Sequence, residues 1–322
     1  MLEFRHQHHP EATGTGAFRY DGRRYRRTAG ISADGAWTLI TARADPRLGA
    51  GVRGYRGYRL AMHRAQRRIE MPIGAVSMIF NFGDPLYISR MPSSECDEPA
   101  WTPHASLVAG LETRAALGEH SGRIRGIEVL LEPWLAFTVL DLAMHEIQGS
   151  ILPLIDVVGP AGGLLEEQLA HALDWSDAFA LVDAFLLDRR TRGREAAAQV
   201  VHAWQHLTRT TGTEPISRVS RSVGWSQRHL EGRFREQIGL PPRRVARMAR
   251  LRWALRLLAA GHPPVHVAAV CDFYDQAHLN RDFKAMVGCA PGVLVAHHAL
   301  QPRPLDRLTN QPTSALLPRA GG

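Results

Sequence analysis

The sequence predicts an α+β protein, with a β-rich N-terminal domain and trailing helices, then an all-α domain of two helix-turn-helix units joined by a long helix. Three observations carry this. One pattern occurs twice: Leu230, Phe234, Gly239 and Pro242 recur as Leu279, Phe283, Gly288 and Pro291. Period-two apolar runs broken by Gly and Pro fill residues 25 to 131, the spacing of half-buried strands. Charge is segregated along the chain: 15 basic against 7 acidic residues in 1–90, 5 against 16 in 91–190, and 15 against 7 in 193–300.

At 322 residues the chain exceeds the usual single-domain size. The expected boundaries are residues 1–190 for the β-rich domain and its helices, 193–300 for the double helix-turn-helix, and 301–322 for a Pro-, Thr- and Gly-rich disordered tail. Arg192-Gly193-Arg194 marks the linker. The net charge of +8 points to a polyanionic partner. Because 38 of the 39 basic residues are Arg, genomic base composition accounts for that total as readily.

In chain order, the first segment is polar and contains His6, His8 and His9, which read as solvated rather than as metal ligands. Val76, Met78, Phe80 and Phe82 alternate, a turn follows at Gly83-Asp84-Pro85, and Leu86 to Ile88 resumes; this reads as a β-hairpin. Ser106 to Ala109 and Ile127, Val129 and Leu131 are further strands. Pro133 opens a helical region, since a first helical turn does not need the missing N–H. Helices are expected over Trp134–Ile147, Leu164–Leu173 and Asp177–Arg189. The last carries a stripe of Phe179, Val182, Phe185 and Leu186, which suits packing on its own domain or a dimer contact equally.

Glu195 to Arg209 is the expected first helix of the second domain, and Ile216 to Val223 opens the first helix-turn-helix. Gly224 stands in its turn, where a left-handed backbone suits glycine; Asp272 holds that place in the second unit and tolerates it better than most residues. Pro242 to Ala260 reads as one long connector with a buried stripe of Leu251, Ala254, Leu255 and Leu258, while Arg252 and Arg256 share another face.

The stretches "VGWSQRHLEGRFREQIGLPP" and "VCDFYDQAHLNRDFKAMVGCAP" resemble the paired helix-turn-helix units of AraC/XylS-family transcription regulators. The resemblance covers about the last third of the chain. It implies sequence-specific binding of double-stranded DNA, a regulatory N-terminal domain for an unidentified small-molecule effector, a homodimer, and RNA polymerase as a further partner of an activator. "GYRGY", "MPIGAVSMIFNFGDPL" and "LETRAALGEHSGRIRGIEVLLEPW" are similar to N-terminal halves of some members, more loosely.

With Leu230 and Phe234 facing the core, the opposite face of the first recognition helix holds Arg228, Glu231, Gly232 and Arg235, with Gln227 at its N-terminal end. The second presents Ala277, Asn280, Arg281 and Lys284, with Gln276. Arg binds guanine bidentately, Asn and Gln bind adenine, and Glu accepts from cytosine. Gly232 departs from the family, many of whose members place Arg there, so the second unit is the better-equipped reader. Arg243, Arg244 and Arg247 are expected on phosphates, which position without reading sequence.

Enzyme function is not expected: the sequence has no Gly-rich phosphate loop, no HExxH and no nucleophile elbow, and implies no cofactor or metal. The alternative is a metal-dependent enzyme or cupin-type ligand-binding domain fused to a DNA-binding module, with His104, His120 and Glu128 as its ligands. Cys96, Cys271 and Cys289 have no ligand spacing and fit a reducing cytoplasm. Neither a membrane-length apolar run nor a signal peptide is read, so a soluble cytoplasmic protein is expected.

Overall fold

The computed structural model describes residues 14–20, 23–91, 98–292 and 314–316. His6, His8, His9 and Cys96 lie outside the described residues. β1 (Gly14–Tyr20), β2 (Arg23–Ser32), β3 (Gly35–Ala42) and β4 (Val52–Met62) form an antiparallel meander. From there the chain alternates between two sheets. β5 (Gln66–Glu70), β7 (Leu86–Arg90), β8 (Thr102–His104) and β10 (Ala116–His120) belong to the smaller sheet. β6 (Val76–Asn81), β9 (Leu107–Ala109), β11 (Arg123–Leu131) and β12 (Ile151–Pro153) belong to the larger. Its eight strands run β1-β2-β3-β4-β11-β6-β9-β12, and β13 (Ser314–Leu316) completes the five-stranded order β13-β5-β10-β7-β8.

The expected hairpin at Gly83-Asp84-Pro85 is corrected by this topology. β6 pairs with β11 and β9, whereas β7 pairs with β10 and β8. The turn instead carries the chain from one sheet to the other. Phe82 and Asp84 donate their backbone N–H groups to the carbonyls of Arg125 and Arg123 at 2.7 and 3.1 Å. Gly83 permits that approach, since an added Cβ would lie 2.8 Å from the Arg125 nitrogen. Period two marked the strands correctly but carries no information on the pairing partner. The expectation of a disordered tail does not hold for residues 314–316, which extend the edge of the smaller sheet at β5.

α1 (Pro133–Leu140) is shorter than expected, because Asp141 adopts a left-handed backbone at φ 53° and ends it. A single 3-10 turn at Met144–Glu146 follows. α2 (Leu154–Val158), α3 (Pro160–Ala170) and α4 (Trp175–Arg192) complete the first half. Asp174 caps α4 by accepting from the backbone N–H groups of Ser176 and Asp177 at 2.7 and 2.9 Å. The α4 stripe packs on its own domain: Phe179 stacks on Tyr25, Tyr55 and Trp175. Asp183 on the same helix accepts from the Tyr55 hydroxyl and the Asp45 N–H, each at 2.8 Å.

The junction between the halves is packed rather than a loose tether. A Cβ on Gly193 would lie 1.9 Å from the Thr138 carbonyl oxygen, and Arg194 pairs with Asp141 at 3.0 Å. Beyond it lie α5 (Ala198–Arg209), α6 (Ile216–Ser222), α7 (Gln227–Gln237), α8 (Pro242–Ala259), α9 (Pro264–Val270) and α10 (Gln276–Val287). One buried cluster runs through both halves, from Tyr55, Val129 and Phe137 to Trp204, Phe234 and Phe283.

Candidate nucleic-acid interface and ligand cavity

The repeat seen in the sequence is a repeat of structure. α6 and α7 form one helix-turn-helix and α9 and α10 the other. Gly224 at φ 72° and Asp272 at φ 58° hold the two turns in the left-handed region. The recognition helices are capped alike: the Ser226 hydroxyl accepts from His229 N–H at 3.2 Å, and the Asp275 carboxylate from His278 N–H at 2.6 Å. In both units the aromatic after the turn meets a histidine edge-on, Trp225 with His229 and Phe273 with His278. Gly239 and Gly288 end the helices at φ 93° and 88°. Leu230, Phe234, Leu279 and Phe283 are fully buried.

The opposite faces are open. Gln227, Arg228 and Arg235 on α7, Gln276, Ala277, Arg281 and Lys284 on α10, and Arg243 and Arg244 at the start of α8 are all exposed. Glu231 and Asn280 are half-buried at the edges of those faces. Gly232 is exposed with open space where a side chain would stand. Arg247 has a different engagement: it forms a two-point pair with Asp282 of α10, at 2.9 and 3.1 Å. That pair fastens the connector to the second recognition helix.

The module docks on the N-terminal half through the helix ends, away from these faces. Gly239, after α7, lies against Met144, and Gly288, after α10, against Met91. The Ala115 N–H donates to the Met286 carbonyl at 2.6 Å. The polar centre of the contact is Glu132. Its Oε1 accepts from Arg53 Nε at 2.8 Å, and its Oε2 from Arg53 Nη2 at 3.1 Å and Trp204 Nε1 at 2.7 Å. Arg53 also donates to the carbonyls of Ile73 and Gly74. Gly74 abuts Met248 and Arg252 of α8, where an added Cβ would lie 2.9 Å from each. Burial pushes the Arg252 guanidinium down to about 9, with Arg53 adding to the fall and Glu132 opposing it. It therefore stays charged at neutral pH. None of this was legible in the sequence, because Arg53, Glu132, Trp204 and Arg252 share no spacing that announces a contact.

Residues 71–75, which include the Ile73 and Gly74 carbonyls, also border a cavity of about 480 Å³ between the two sheets. Strand register explains its lining. Arg56, Tyr58 and Leu60 on β4 stand beside Glu128, Gly126 and Ile124 on β11. Across the gap, Gln66, Arg68 and Glu70 on β5 stand beside His120, Gly118 and Ala116 on β10. Arg56 pairs with Glu128 at 2.7 Å, and the Ser77 hydroxyl donates to the other Glu128 oxygen at 2.7 Å. Gly126 is what admits Tyr58, since a Cβ there would lie 2.5 Å from the phenolic oxygen.

Burial, reinforced by the charge of Arg68, holds His120 down to about 4, so its ring is neutral at pH 7. His120 and Glu128 thus share the cavity, but Glu128 is bound to Arg56 and His104 is not among the lining residues. Among the described residues no three His, Cys, Asp or Glu side chains are grouped to hold a metal ion. Among them, too, no helix is long and apolar enough to cross a membrane.

Comparison with solved structures finds likeness to ToxT from Vibrio cholerae O395, at 12% identity over 72% of this chain and 96% of that one, with a TM-score of 0.41. Another structure of Vibrio cholerae ToxT matches at 12% identity over 75% and 98%, with a TM-score of 0.42. Unsaturated fatty acid bound wild-type ToxT from strain SCE256 matches at 11% identity over 72% and 93%, with a TM-score of 0.41. At these scores no residue or ligand is carried across. No curated protein matches the chain. Residues 219–297 match the family model of a helix-turn-helix domain. With the paired units, their shared caps and their open basic faces, that match makes the C-terminal part of this chain an AraC-type helix-turn-helix domain.

Proposed function

We propose that the chain is a sequence-specific DNA-binding transcription regulator whose N-terminal cavity takes a small-molecule effector. Its two recognition helices read DNA and the effector sets their placement. The observation that carries this reading is the continuity from the cavity to the helical module that holds the reading helices. The 71–75 segment borders the cavity, is held by Arg53, and through Arg53 shares Glu132 with Trp204 of the DNA-binding module. A ligand that moves this segment changes what α5 and α8 rest on. Such coupling needs a difference in contacts between two states, and the Arg53–Glu132–Trp204 node supplies contacts that can differ.

On the DNA side, Arg281, Asn280 and Gln276 of α10 and Arg228, Glu231, Arg235 and Gln227 of α7 are proposed at base edges, with Ala277 and Lys284 beside them. Arg243 and Arg244 are proposed on phosphates. Arg247, tied to Asp282, reaches a phosphate only by leaving that pair. Homodimer formation, where it occurs, uses a surface other than the α4 stripe, which is spent inside the domain. Selection from a randomised duplex library with the full chain tests the reading. The expected result is an enriched motif of fixed sequence; recovery of unenriched duplexes at all salt concentrations removes it.

A further inference from the structure

Tyr58 and His120, which line the cavity, each carry a neutral donor that nothing among the described residues satisfies. Tyr58 and His120 are 5% and 6% exposed, and neither the Tyr58 hydroxyl nor His120 Nε2 has a hydrogen-bond partner among the described residues. His120 Nδ1 accepts from the Gly122 N–H at 3.1 Å, so the proton of the neutral ring sits on Nε2. Nε2 is therefore a donor. The Tyr58 hydroxyl is a second, and burial holds its pKa far above the usual range, so it keeps its proton. Arg68 is electrostatically felt by both groups, so the two donors lie within its reach although they stand on facing sheets. Leaving such donors dry is costly, and a bound acceptor removes that cost.

The charges of the cavity are already balanced. Arg56, Arg68 and Arg114 line it together with Glu70, Glu112 and Glu128, and the remaining lining carboxylate, Glu119, is bonded to Arg67 at 2.8 Å. Arg56 is held by Glu128 at 2.7 Å, and its Nε is a further donor without an acceptor among the described residues. Arg68 and Glu70 each have partners of their own. An incoming anion would add a net charge to a compensated and largely apolar space, and that is costly. A neutral oxygen would not. The rest of the lining, with Trp37, Leu39, Leu60, Ile79, Ile88 and Leu130, suits an apolar body, and about 480 Å³ is ample for a small molecule.

We propose that this cavity binds a neutral, mostly apolar small molecule through a carbonyl oxygen that accepts from Tyr58 and His120. The proposal rests on the reading that the cavity is the effector site. It is tested on the full chain by isothermal titration with two probes of matched length, nonan-2-one and nonanoate, at pH 7. Nonan-2-one should bind at least tenfold more tightly. Tyr58→Phe and His120→Phe should each weaken the ketone by about fivefold, one neutral hydrogen bond, and narrow the ratio between the probes.

Gly118→Val, whose added Cβ meets Glu70 at an ordinary 3.4 Å, fills the cavity and should weaken both probes together. Should either aromatic variant fail to fold, the Nε2 resonance of His120 in the histidine-labelled wild-type chain serves instead, and it should shift on addition of the ketone. Equal or tighter binding of nonanoate overturns the proposal. So does no binding of the ketone up to its solubility, an unchanged probe ratio in the folded variants, or an unmoved His120 resonance. Tight nonanoate binding that alters DNA affinity would overturn this proposal and keep the effector reading. Ketone binding with no effect on DNA affinity would do the reverse.

Discussion

Replacing Glu132 by Gln keeps the shape of the side chain and removes its charge, at the point where the two halves of the molecule share a carboxylate. Both members of the Arg53–Glu132 pair are largely buried, with side chains 10% and 19% exposed. Breaking a buried pair by removing one partner costs about 3–5 kcal/mol. The amide returns part of this, because its remaining oxygen still accepts. It cannot return all of it. With nitrogen at the Oε2 position it meets the Arg53 Nη2 and Trp204 Nε1 donors head-on; with nitrogen at the Oε1 position it meets Arg53 Nε. The variant also leaves Arg53 and Arg252 facing each other with one negative charge fewer.

The expected loss for Glu132→Gln is therefore about 2–4 kcal/mol. Urea unfolding of the full chain measures it. A double-mutant cycle with Trp204→Phe should show a coupling of more than about 1 kcal/mol, since the two groups share a bond. DNA affinity should also change, although neither residue belongs to α7 or α10. A loss under about 1 kcal/mol with additive behaviour would mean that the node is a surface pair of little weight, and the route proposed from cavity to DNA would have no centre.

Four shorter predictions follow from the same structure. Arg281→Ala should cost about 1–3 kcal/mol on the selected site and flatten preference at one or two base pairs, whereas Arg244→Ala should weaken all duplexes alike and lower the salt slope by about one phosphate. Competition binding at two salt concentrations separates these. Phe234→Ala and Phe283→Ala, both at fully buried rings, should each destabilise by about 3–5 kcal/mol in denaturant unfolding. Gly224→Ala should destabilise by about 1–2 kcal/mol because its φ is 72°, while Asp272→Gly, at φ 58°, should not destabilise its turn; thermal melts of the two variants compare them.

The fourth concerns pH. The folded-state pKa of His120 is lowered from 6.5 to about 4, mainly by burial, so the unfolded chain binds more protons between those values and stability falls as pH drops through that window. At pH 5.5 this amounts to about 1.4 kcal/mol relative to pH 7.5. His120→Phe should remove that part of the pH dependence in unfolding curves, and an unchanged dependence would show that the ring is not buried as described.

The helical half was the more legible in sequence, for a physical reason. A helix-turn-helix is set by contacts within about twenty residues: the stripe of Leu230 and Phe234, the turn at Gly224, the caps at Ser226 and Gly239. The second copy repeated that pattern at Leu279, Phe283, Asp272 and Asp275. The sheets depend on partners far apart in sequence. Val76 to Phe82 announced a strand through its alternation, but its neighbour is β11, some fifty residues on, and nothing local separates that pairing from a hairpin with Leu86 to Ile88.

The cavity was hidden for the same reason. His120 drew notice in the sequence only within the alternative of a metal site with His104 and Glu128, whereas its donor Nε2 and the Tyr58 hydroxyl acquire meaning only when β4 and β10 face each other. Arg247 shows the limit of a helical wheel: it stands on an exposed face, yet Asp282 from another helix occupies it.

Hydroxyl-radical footprinting of the full chain on its selected duplex tests most directly whether both units grip DNA. Two recognition helices set in successive major grooves by one rigid connector should protect two stretches on the same face of the duplex, with centres roughly 10 base pairs apart. Arg228→Ala should change base preference in one stretch and Arg281→Ala in the other. A single protected stretch, or two that lose preference together with either variant, would contradict the account.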